Sequence, residues 1–360
     1  MDPSPFDYTG PLPPERVRGR DALLDVLTER VTARSPTALL GPRRFGKTSV
    51  LQRIGVDLTE MTTITVDLMP VQSPHDAARA LTKALLASDA NVARDATEVS
   101  ATLGFNILAL RGEITTTRAS NRADPEAAFP NLVDTLVKTA LRRPTLVIFD
   151  EFQQIAAVPN GTAVLRAALQ HHYKDIGLLF AGSAPSAMRD IFANHKQPFL
   201  HQVGIVTIEA LTFSAVEDII TAGFAETGRQ AGAVAGLVHQ FAQGHPLRTM
   251  QAAHMAWVHA ETGPADQAWG EALAALRRSE RPAVADFYAQ LPKAQQKVLR
   301  ILAQDGAIFG AAADALQLGK GPAQRARQAL LDEGHLLDDD GKLRVTDPFL
   351  SDWLKLTHPI

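Results

Sequence analysis

The stretch ALLGPRRFGKTSVLQRI, residues 38–54, decides how the rest of the chain is interpreted. Four residues separate Gly41 from Gly46, which is followed directly by Lys47 and Thr48. This order matches the pattern G-x-x-x-x-G-K-[ST], in which the glycines let backbone N–H groups point at phosphate oxygens. A strand is predicted before the loop and a helix after it, and the helix adds the positive end of its dipole. The stretch therefore predicts a phosphate-binding loop rather than a chance glycine-rich turn.

The residue types in this loop predict ATP or ADP, with Mg²⁺, as cofactors. Lys47 supplies a positive charge to the β- and γ-phosphates, and Thr48 offers its hydroxyl to Mg²⁺. The other predicted nucleotide contacts come from the rest of the loop and from the residue after Thr48: Gly41, Pro42, Arg43, Arg44, Phe45, Gly46 and Ser49.

A second motif, TLVIFDEFQQI at residues 145–155, places two acids after a predicted apolar strand. Asp150 can reach the magnesium ion through water, and Glu151 can orient or polarise an attacking water molecule. A solvated acidic turn is the alternative. Because the motif follows a phosphate-binding loop, we predict catalytic roles for Lys47, Asp150 and Glu151. The predicted metal ligands are Thr48 and Asp150.

The segment FAGS puts Ser183 at the end of a further predicted strand. The carboxyl ends of parallel strands face the ligand crevice, so Ser183 is a candidate catalytic residue that senses the γ-phosphate. An N-cap role suits serine equally well, and both alternatives stay open. The pair His171-His172 suggests a metal site, but adjacent side chains on a helix do not face each other, and we predict no metal there.

Composition limits the class of protein. The chain has 360 residues, which predicts two or three domains, and its 46% hydrophobic and 21% charged residues are typical of globular proteins. The absence of cysteine excludes disulfides, thiolate chemistry and cysteine-based zinc sites, and we predict a reducing, cytoplasmic compartment. We expect neither a signal peptide nor a membrane span. A net charge of −3 gives no chain-wide basic field for nucleic acid.

Predicted strands alternate with predicted helices along the first part of the chain. The strands are expected at residues 37–40, 62–68, 145–150, 176–183 and 203–211. The helices are expected at residues 20–34, 48–57, 74–88, 129–141, 164–172 and 187–193. This alternation predicts an α/β fold, with a parallel sheet covered by helices on both faces. Residues 89–125 are predicted to hold two strands or a loop insertion.

Three domains are predicted. Residues 1–212 form a P-loop ATPase core, and residues 213–288, where strands stop and helices follow one another, form a helical domain. Residues 289–360 contain three predicted helices and a hairpin at Asp340-Gly341, which together predict a winged helix-turn-helix.

Several segments occur in the order found in one group of proteins. They are PFDYTGPLPPERVRGRDALL, GPRRFGKTSVL, FDEFQ, LRAALQHH, LLFAGSAPSAMRDIF and GHP. Together they resemble the prokaryotic AAA+ ATPases of the archaeal-type group, which are close to STAND signalling ATPases and origin-recognition ATPases. The resemblance covers most of residues 5–260. It implies that residues 213–288 are a helical lid, that the segment around Val17, Gly19 and Arg20 borders the adenine, and that Gly244 and Pro246 lie on the lid over the nucleotide.

The resemblance also bears on the arginines. Arg248 is a candidate sensor arginine, although an ordinary exposed helix residue is the favoured alternative. Where such proteins often carry a Gly-Arg pair, this chain reads PFLHQVG, so no arginine finger is assigned; Arg189 and Lys196 are the nearest basic residues. Since an arginine finger contributes roughly a thousandfold or more to turnover, we expect slow hydrolysis.

The tail is balanced in charge. Residues 291–360 contain nine Lys or Arg and nine Asp or Glu. DNA contact would run through residues 320–344, where Lys320, Arg325 and Arg327 are available. DNA binding normally needs a basic face, and the wing instead carries three acids, Asp338, Asp339 and Asp340. Packing or protein contact is therefore at least as well supported as DNA binding.

Three functions follow from these patterns. The first is an ATP-driven switch, whose lid and winged helix are read by a protein partner or a second copy of the chain. The second is a DNA-binding ATPase, and the third is a non-catalytic scaffold stabilised by nucleotide. Glu151 favours retained hydrolysis over the third, and the balanced tail argues against the second.

Overall fold

The computed structural model describes residues 3–103, 107–108, 125–193, 203–339 and 341–360. The chain divides into two compact units. The sheet unit contains Ala22–Gly41 and Val50–Ile208, and the lid unit contains Met1–Asp21, Pro42–Ser49 and Glu209–Ile360. Within the described residues, no helix is long and apolar enough to cross a membrane.

The sheet unit is built on five parallel strands. They are β1 (Thr37–Leu40), β2 (Thr62–Asp67), β3 (Thr145–Asp150), β4 (Gly177–Gly182) and β5 (Gly204–Thr207). Their order is β2-β3-β4-β1-β5, and each neighbouring pair is parallel. Every residue of β1, β3 and β4 is buried, as expected for central strands covered on both faces. The predicted parallel α/β sheet is confirmed.

Helices precede β1 and lie between the later strands in the sequence. They are α1 (Asp21–Thr32), α2 (Lys47–Asp57), α3 (Pro74–Ala87), α4 (Ala90–Thr102), α5 (Pro125–Ala140), α6 (Gly161–Leu169) and α7 (Pro185–Ala193). The sheet unit has one apolar core, in which the rings of Phe149, Phe152 and Phe180 lie with centroids 4.7 to 5.7 Å apart. Packing at these rings fixes the carboxyl ends of β3 and β4, where the candidate catalytic residues lie.

The prediction for residues 89–125 is wrong in its described first part. Residues 90–102 form the helix α4, because the Asp89 side chain caps it by accepting from the N–H groups of Asn91 and Val92. Its apolar residues Val92 and Ala96, one helical turn apart, are buried. Residues 104–106 and 109–124 lie outside the described part. The pair His171-His172 also differs from expectation, since α6 ends at Leu169.

The lid unit contains helices followed by a winged helix. The first helices are α8 (Phe213–Glu226), α9 (Val234–Ala242), α10 (Pro246–His259) and α11 (Trp269–Gln290). The C-terminal elements are α12 (Lys293–Ala303), α13 (Ala311–Ala315), α14 (Lys320–Asp332), β6 (Leu336–Asp339), β7 (Lys342–Val345) and α15 (Pro348–Thr357). β6 and β7 pair antiparallel, which gives the hairpin that the sequence predicts.

One apolar core runs through the lid unit. It includes Phe224 and Ala253 of the first helices and Leu299 and Phe349 of the winged helix. The proline-rich N-terminal segment, residues 3–20 (the lead), packs against this core. Its Phe6 is 2% exposed, and the Phe6 ring lies 5.7 Å from that of Phe224. Because the lead, the first helices and the winged helix share a core, a shift in one of them changes the packing of the others.

Candidate nucleotide-binding site

The predicted phosphate-binding loop joins the end of β1 to the start of α2. Gly46 has a φ of +84°, a conformation that favours glycine. Arg44 is also left-handed, with a φ of 66°. The Lys47 side chain is 5% exposed, and its Nζ donates to the Pro42 carbonyl at 2.7 Å. The ammonium group is therefore held within the curve of the loop, beside the backbone that the pattern assigns to phosphate.

The N-terminal lead is hydrogen-bonded to the loop. Arg20 donates to the carbonyl of Phe45 at 3.2 Å and to that of Glu209 at 2.8 Å. Burial lowers the pKa of Arg20 to about 10, so the guanidinium is charged at neutral pH. Leu12 N–H donates to the Ser49 hydroxyl at 2.9 Å, which gives Ser49 a structural partner that sequence reasoning missed.

The predicted adenine-side residues lie near Arg20 in the same lead. Val17 is buried, and its N–H donates to the Pro14 carbonyl at 3.2 Å. Gly19 is left-handed and packs on Ala215 of α8, where an added Cβ would lie 2.5 Å from the alanine Cβ. These contacts fix the segment on α8, and the nucleotide contact itself stays a prediction.

The loop also touches the start of α10. The Phe45 ring lies edge-on to the His245 ring with centroids 4.9 Å apart, and both side chains are buried. His245 caps α10, since its Nδ1 accepts from Arg248 N–H at 3.4 Å. Burial lowers the pKa of His245 to about 4, which keeps the ring neutral at physiological pH. The predicted lid residues flank this contact: Gly244 accepts from Leu211 N–H at 2.8 Å, and Pro246 begins the helix.

Arg248 is a buried residue, so the favoured prediction of an exposed helix position is wrong. Its side chain is 3% exposed and donates to both carboxylate oxygens of Asp347, at 2.9 and 2.6 Å. It also donates to Gln251 Oε1 at 2.7 Å and to Glu280. A helix pattern alone cannot identify these partners, because Asp347 is 99 residues away. A sensor role for Arg248 stays a prediction, and here its guanidinium is engaged by carboxylates.

The carboxyl edge of the sheet carries the predicted catalytic acids. β4 pairs in parallel with both β1 and β3, so Asp150 at the end of β3, Gly41 just after β1 and Ser183 just after β4 lie at the same edge. Asp150 is 7% exposed, and its Oδ1 accepts from Glu151 N–H at 3.0 Å. Glu151 is left-handed, with a φ of 53°.

Ser183 and Gln153 both contact the Glu151 carboxylate. Ser183 Oγ donates to Glu151 Oε2 at 2.6 Å, and Ser183 N–H donates to the same oxygen at 3.3 Å. The Gln153 amide donates to this oxygen as well. The Ser183 hydroxyl thus donates to Glu151 rather than capping the first turn of α7, which starts at Pro185. Sequence reasoning missed Gln153, although it lies in the same FDEFQ motif.

The remaining predictions concern a metal site, the basic residues near α7 and those of the winged helix. Among the described residues, no group of three or more His, Asp or Glu side chains is placed to hold a metal ion by itself. Arg189 lies in α7, and Lys196 lies outside the described residues. In the winged helix, Arg327 of α14 pairs with Asp338 of the wing at 3.2 Å, while Lys320 and Arg325 are exposed.

The fold is similar to that of known ATPases at low sequence identity. The Walker-type ATPase of Pyrococcus abyssi aligns with a TM-score of 0.71 and 16% identity, covering 98% of this chain and 99% of that chain. The chain has the fold of a P-loop ATPase. The Aeropyrum pernix ORC2 protein in its ADPNP-ADP complexes aligns with a TM-score of 0.58 and 16% identity, covering 97% of this chain and 95% of that chain. The ADP form of the same protein aligns with a TM-score of 0.54 and 14% identity, covering 98% of this chain and 95% of that chain.

These similarities confirm, at the level of the fold, the resemblance to AAA+ ATPases of the archaeal and origin-recognition groups. The sequence matches no protein-family model and no curated protein.

Proposed function

We propose that the chain binds ATP and ADP through residues 41–48 and hydrolyses ATP slowly. The observation that carries this proposal is the complete phosphate-binding pattern between β1 and α2, with the Lys47 ammonium bonded inside the loop to Pro42. The Aeropyrum pernix ORC2 protein, which shares the fold, is solved with ADPNP and ADP. This supports a nucleotide as the ligand of the loop.

The proposed catalytic roles follow the order of the motifs. Lys47 neutralises the phosphates, Asp150 assists Mg²⁺, and Glu151 orients the attacking water. Thr48 and Asp150 supply a hydroxyl and a carboxylate, the oxygen donors that Mg²⁺ prefers. Ser183 is the proposed γ-phosphate sensor, and its bond to Glu151 at 2.6 Å supports a role beside the reacting groups.

We further propose that the nucleotide state changes the positions of the lid, residues 213–288, and the winged helix, residues 289–360. The contacts of the lid unit support this coupling. Phe45 of the loop packs on His245, whose Nδ1 accepts from the backbone of Arg248, and Arg248 pairs with Asp347 at the start of α15. A change in the loop is therefore transmitted to the winged helix through residues that contact one another in succession, from Phe45 to Asp347.

The electrostatics of the winged helix support the same coupling. The pKa of His335, just before β6, is lowered first by burial; Glu333 opposes this, and the charge of Arg43 in the loop lowers it further. The charge of Arg43 in the loop thus acts on His335, the residue before the wing, within the lid unit. We propose that a protein partner or a second copy of the chain reads the resulting positions. The scaffold alternative is weaker because Glu151 follows β3, where a hydrolytic site needs a carboxylate.

The DNA-binding alternative is not favoured. Of the three candidate cations on α14, Arg327 is already paired with Asp338, which also accepts from Gly341 N–H at 2.8 Å. An arginine committed to an internal carboxylate is less available to phosphates.

The proposed hydrolysis is tested by Glu151→Gln, with Glu60→Gln at an exposed turn as the matched control. Glu151→Gln is expected to bind ATP with unchanged affinity and to lose phosphate release by about a hundredfold or more, as expected for loss of a general base. Glu60→Gln is expected to behave as the parent. Phosphate release that is unchanged in Glu151→Gln would remove Glu151 from the reaction.

A further inference from the structure

The Glu151 carboxylate is held by donors from two segments of the sheet unit. Its Oε2 accepts from Ser183 Oγ at 2.6 Å and from Ser183 N–H at 3.3 Å. The Gln153 amide donates to the same oxygen and lies 3.4 Å from Ser183 Oγ. Glu151 itself has a left-handed backbone, which a residue with a side chain keeps only when its surroundings support it. The Ser183 donors and the Asp150 carboxylate, which accepts from Glu151 N–H at 3.0 Å, contribute to that support.

The carboxylate decides which way the Gln153 amide points. An amide oxygen aimed at Glu151 would be repelled, so the amide nitrogen faces the carboxylate. The amide oxygen then lies over Gly182, where an added Cβ would be 2.6 Å from it. Gly182 therefore leaves room for the close approach of both Gln153 and the Met188 side chain, two of whose atoms would lie 2.5 Å from the same Cβ.

The same arrangement leaves a polar atom without a hydrogen bond. Gln153 Oε1 is buried, and none of the described residues donates to it. A buried acceptor without a donor lowers stability. Leucine is similar in size and has no such atom, so packing does not explain a glutamine here. An unfavourable group kept beside a candidate catalytic carboxylate is typical of a site where function outweighs stability.

We propose that Gln153 is a positioning residue for Glu151: its amide, with Ser183, fixes the carboxylate where it orients the attacking water. This inference rests on the proposed ATP hydrolysis. Gln153 touches Glu151 rather than the nucleotide, so its loss should affect the rate of the chemical step and leave nucleotide binding unchanged. A misplacement of about 1 Å costs a reaction about a hundredfold, which sets the size of the expected effect.

The kinetic test compares Gln153→Leu with Gln154→Leu, the next residue in the same turn. The backbone N–H of Gln154 donates to the Glu151 carbonyl, but its side-chain amide is not among the donors to the Glu151 carboxylate. Gln153→Leu is expected to lower kcat by about tenfold to a hundredfold, with KM unchanged and Tm equal to or above that of the parent. In the Glu151→Gln background the same substitution should have no further effect. If Gln153 had only a structural role, its substitution would lower the Tm and would reduce kcat by the same factor in the parent and in the Glu151→Gln background. Either of these results, or an unchanged kcat, would overturn the inference.

A second measurement needs no turnover. In nucleotide-free protein labelled with ¹⁵N, the Gln153 side-chain NH₂ signals are identified by their loss in Gln153→Leu. They are expected to shift in Glu151→Ala and to stay in place in Glu60→Ala. Signals that do not respond to Glu151→Ala would show that the amide does not hold the carboxylate. If the parent does not hydrolyse ATP, the proposed function fails, while these signals still decide whether Gln153 holds Glu151.

Discussion

Arg248 donates a pair of hydrogen bonds to the carboxylate of Asp347, 99 residues later in the chain. Asp347 in turn caps α15 by accepting from Phe349 N–H at 2.9 Å. The Arg248 guanidinium also lies 5.2 Å from the centroid of the Phe349 ring. One buried ion pair thus fastens the start of the last helix to α10, whose first turn contacts the phosphate-binding loop through His245.

Breaking this pair is expected to destabilise the protein. Asp347→Asn leaves the Arg248 side chain, which is 3% exposed, without its main carboxylate. Because the Asp347 side chain is 27% exposed and Arg248 keeps its contact with Glu280, the loss is expected to be about 1–3 kcal/mol, below the value for a fully buried pair. Urea unfolding measures the loss, and Asp314→Asn at an exposed position of α13 is the control, expected to stay within about 0.5 kcal/mol of the parent. Equal stability of the two variants would mean that the pair does not fasten α15.

His245 is expected to make stability depend on pH. Burial lowers its pKa to about 4, with Asp347 opposing and Arg248 and Arg44 adding to the effect, whereas the unfolded state titrates near 6.5. Between these values the unfolded state binds more protons. Stability should therefore be full above pH ~6.5 and fall as the pH drops towards 4, by on the order of 3 kcal/mol.

The test uses His245→Asn, which removes the titrating ring and keeps an N-cap acceptor. Its stability is expected to depend less on pH between about 4 and 6.5, whereas the exposed control His171→Asn should follow the parent. Burial raises the pKa of Asp347, but Arg248, His245 and the Phe349 N–H together lower it below its usual value, so Asp347 contributes only at more acidic pH. A parent curve that is flat in this window would contradict the buried, neutral state of His245.

The winged helix is expected to bind arbitrary duplex DNA weakly or not at all at physiological salt. Non-specific affinity comes from phosphate contacts, and residues 291–360 have as many acids as basic residues. Fluorescence anisotropy of the full chain with random duplex, with and without ATP, measures this. Submicromolar binding that falls steeply with salt and is lost in Arg325→Glu with Arg327→Glu would establish the DNA-binding alternative.

Local patterns were sufficient to predict the sheet. The apolar run at residues 145–150 and the G-x-x-x-x-G-K-T loop can each be recognised from a few adjacent residues. For that reason β3 and the strand–loop–helix unit could be predicted. Residues 90–102 were not, because the Asp89 cap and the helical spacing of Val92 and Ala96 are weaker signals than the β-branched residues nearby.

Long-range partners could not be predicted from the sequence. Arg248 looked like a surface position, since nothing near it in the sequence marks Glu280 or Asp347 as its partner. The same holds for Ser183 and Glu151, which are 32 residues apart; the sequence indicated that both follow strands, and only the sheet order made those strands neighbours. Side-chain pairing across a fold depends on topology, which periodicity does not specify.

The central claim is that residues 41–48 bind ATP, and calorimetry tests it most directly. ATP with Mg²⁺ is titrated into the parent, into Lys47→Ala and into Lys83→Ala, an exposed lysine of α3 that serves as the control, with circular dichroism to check that each is folded. We expect the parent and Lys83→Ala to bind alike, and Lys47→Ala to bind about a hundredfold more weakly, which is about 2.7 kcal/mol. A folded Lys47→Ala that binds ATP as tightly as the parent would contradict the claim.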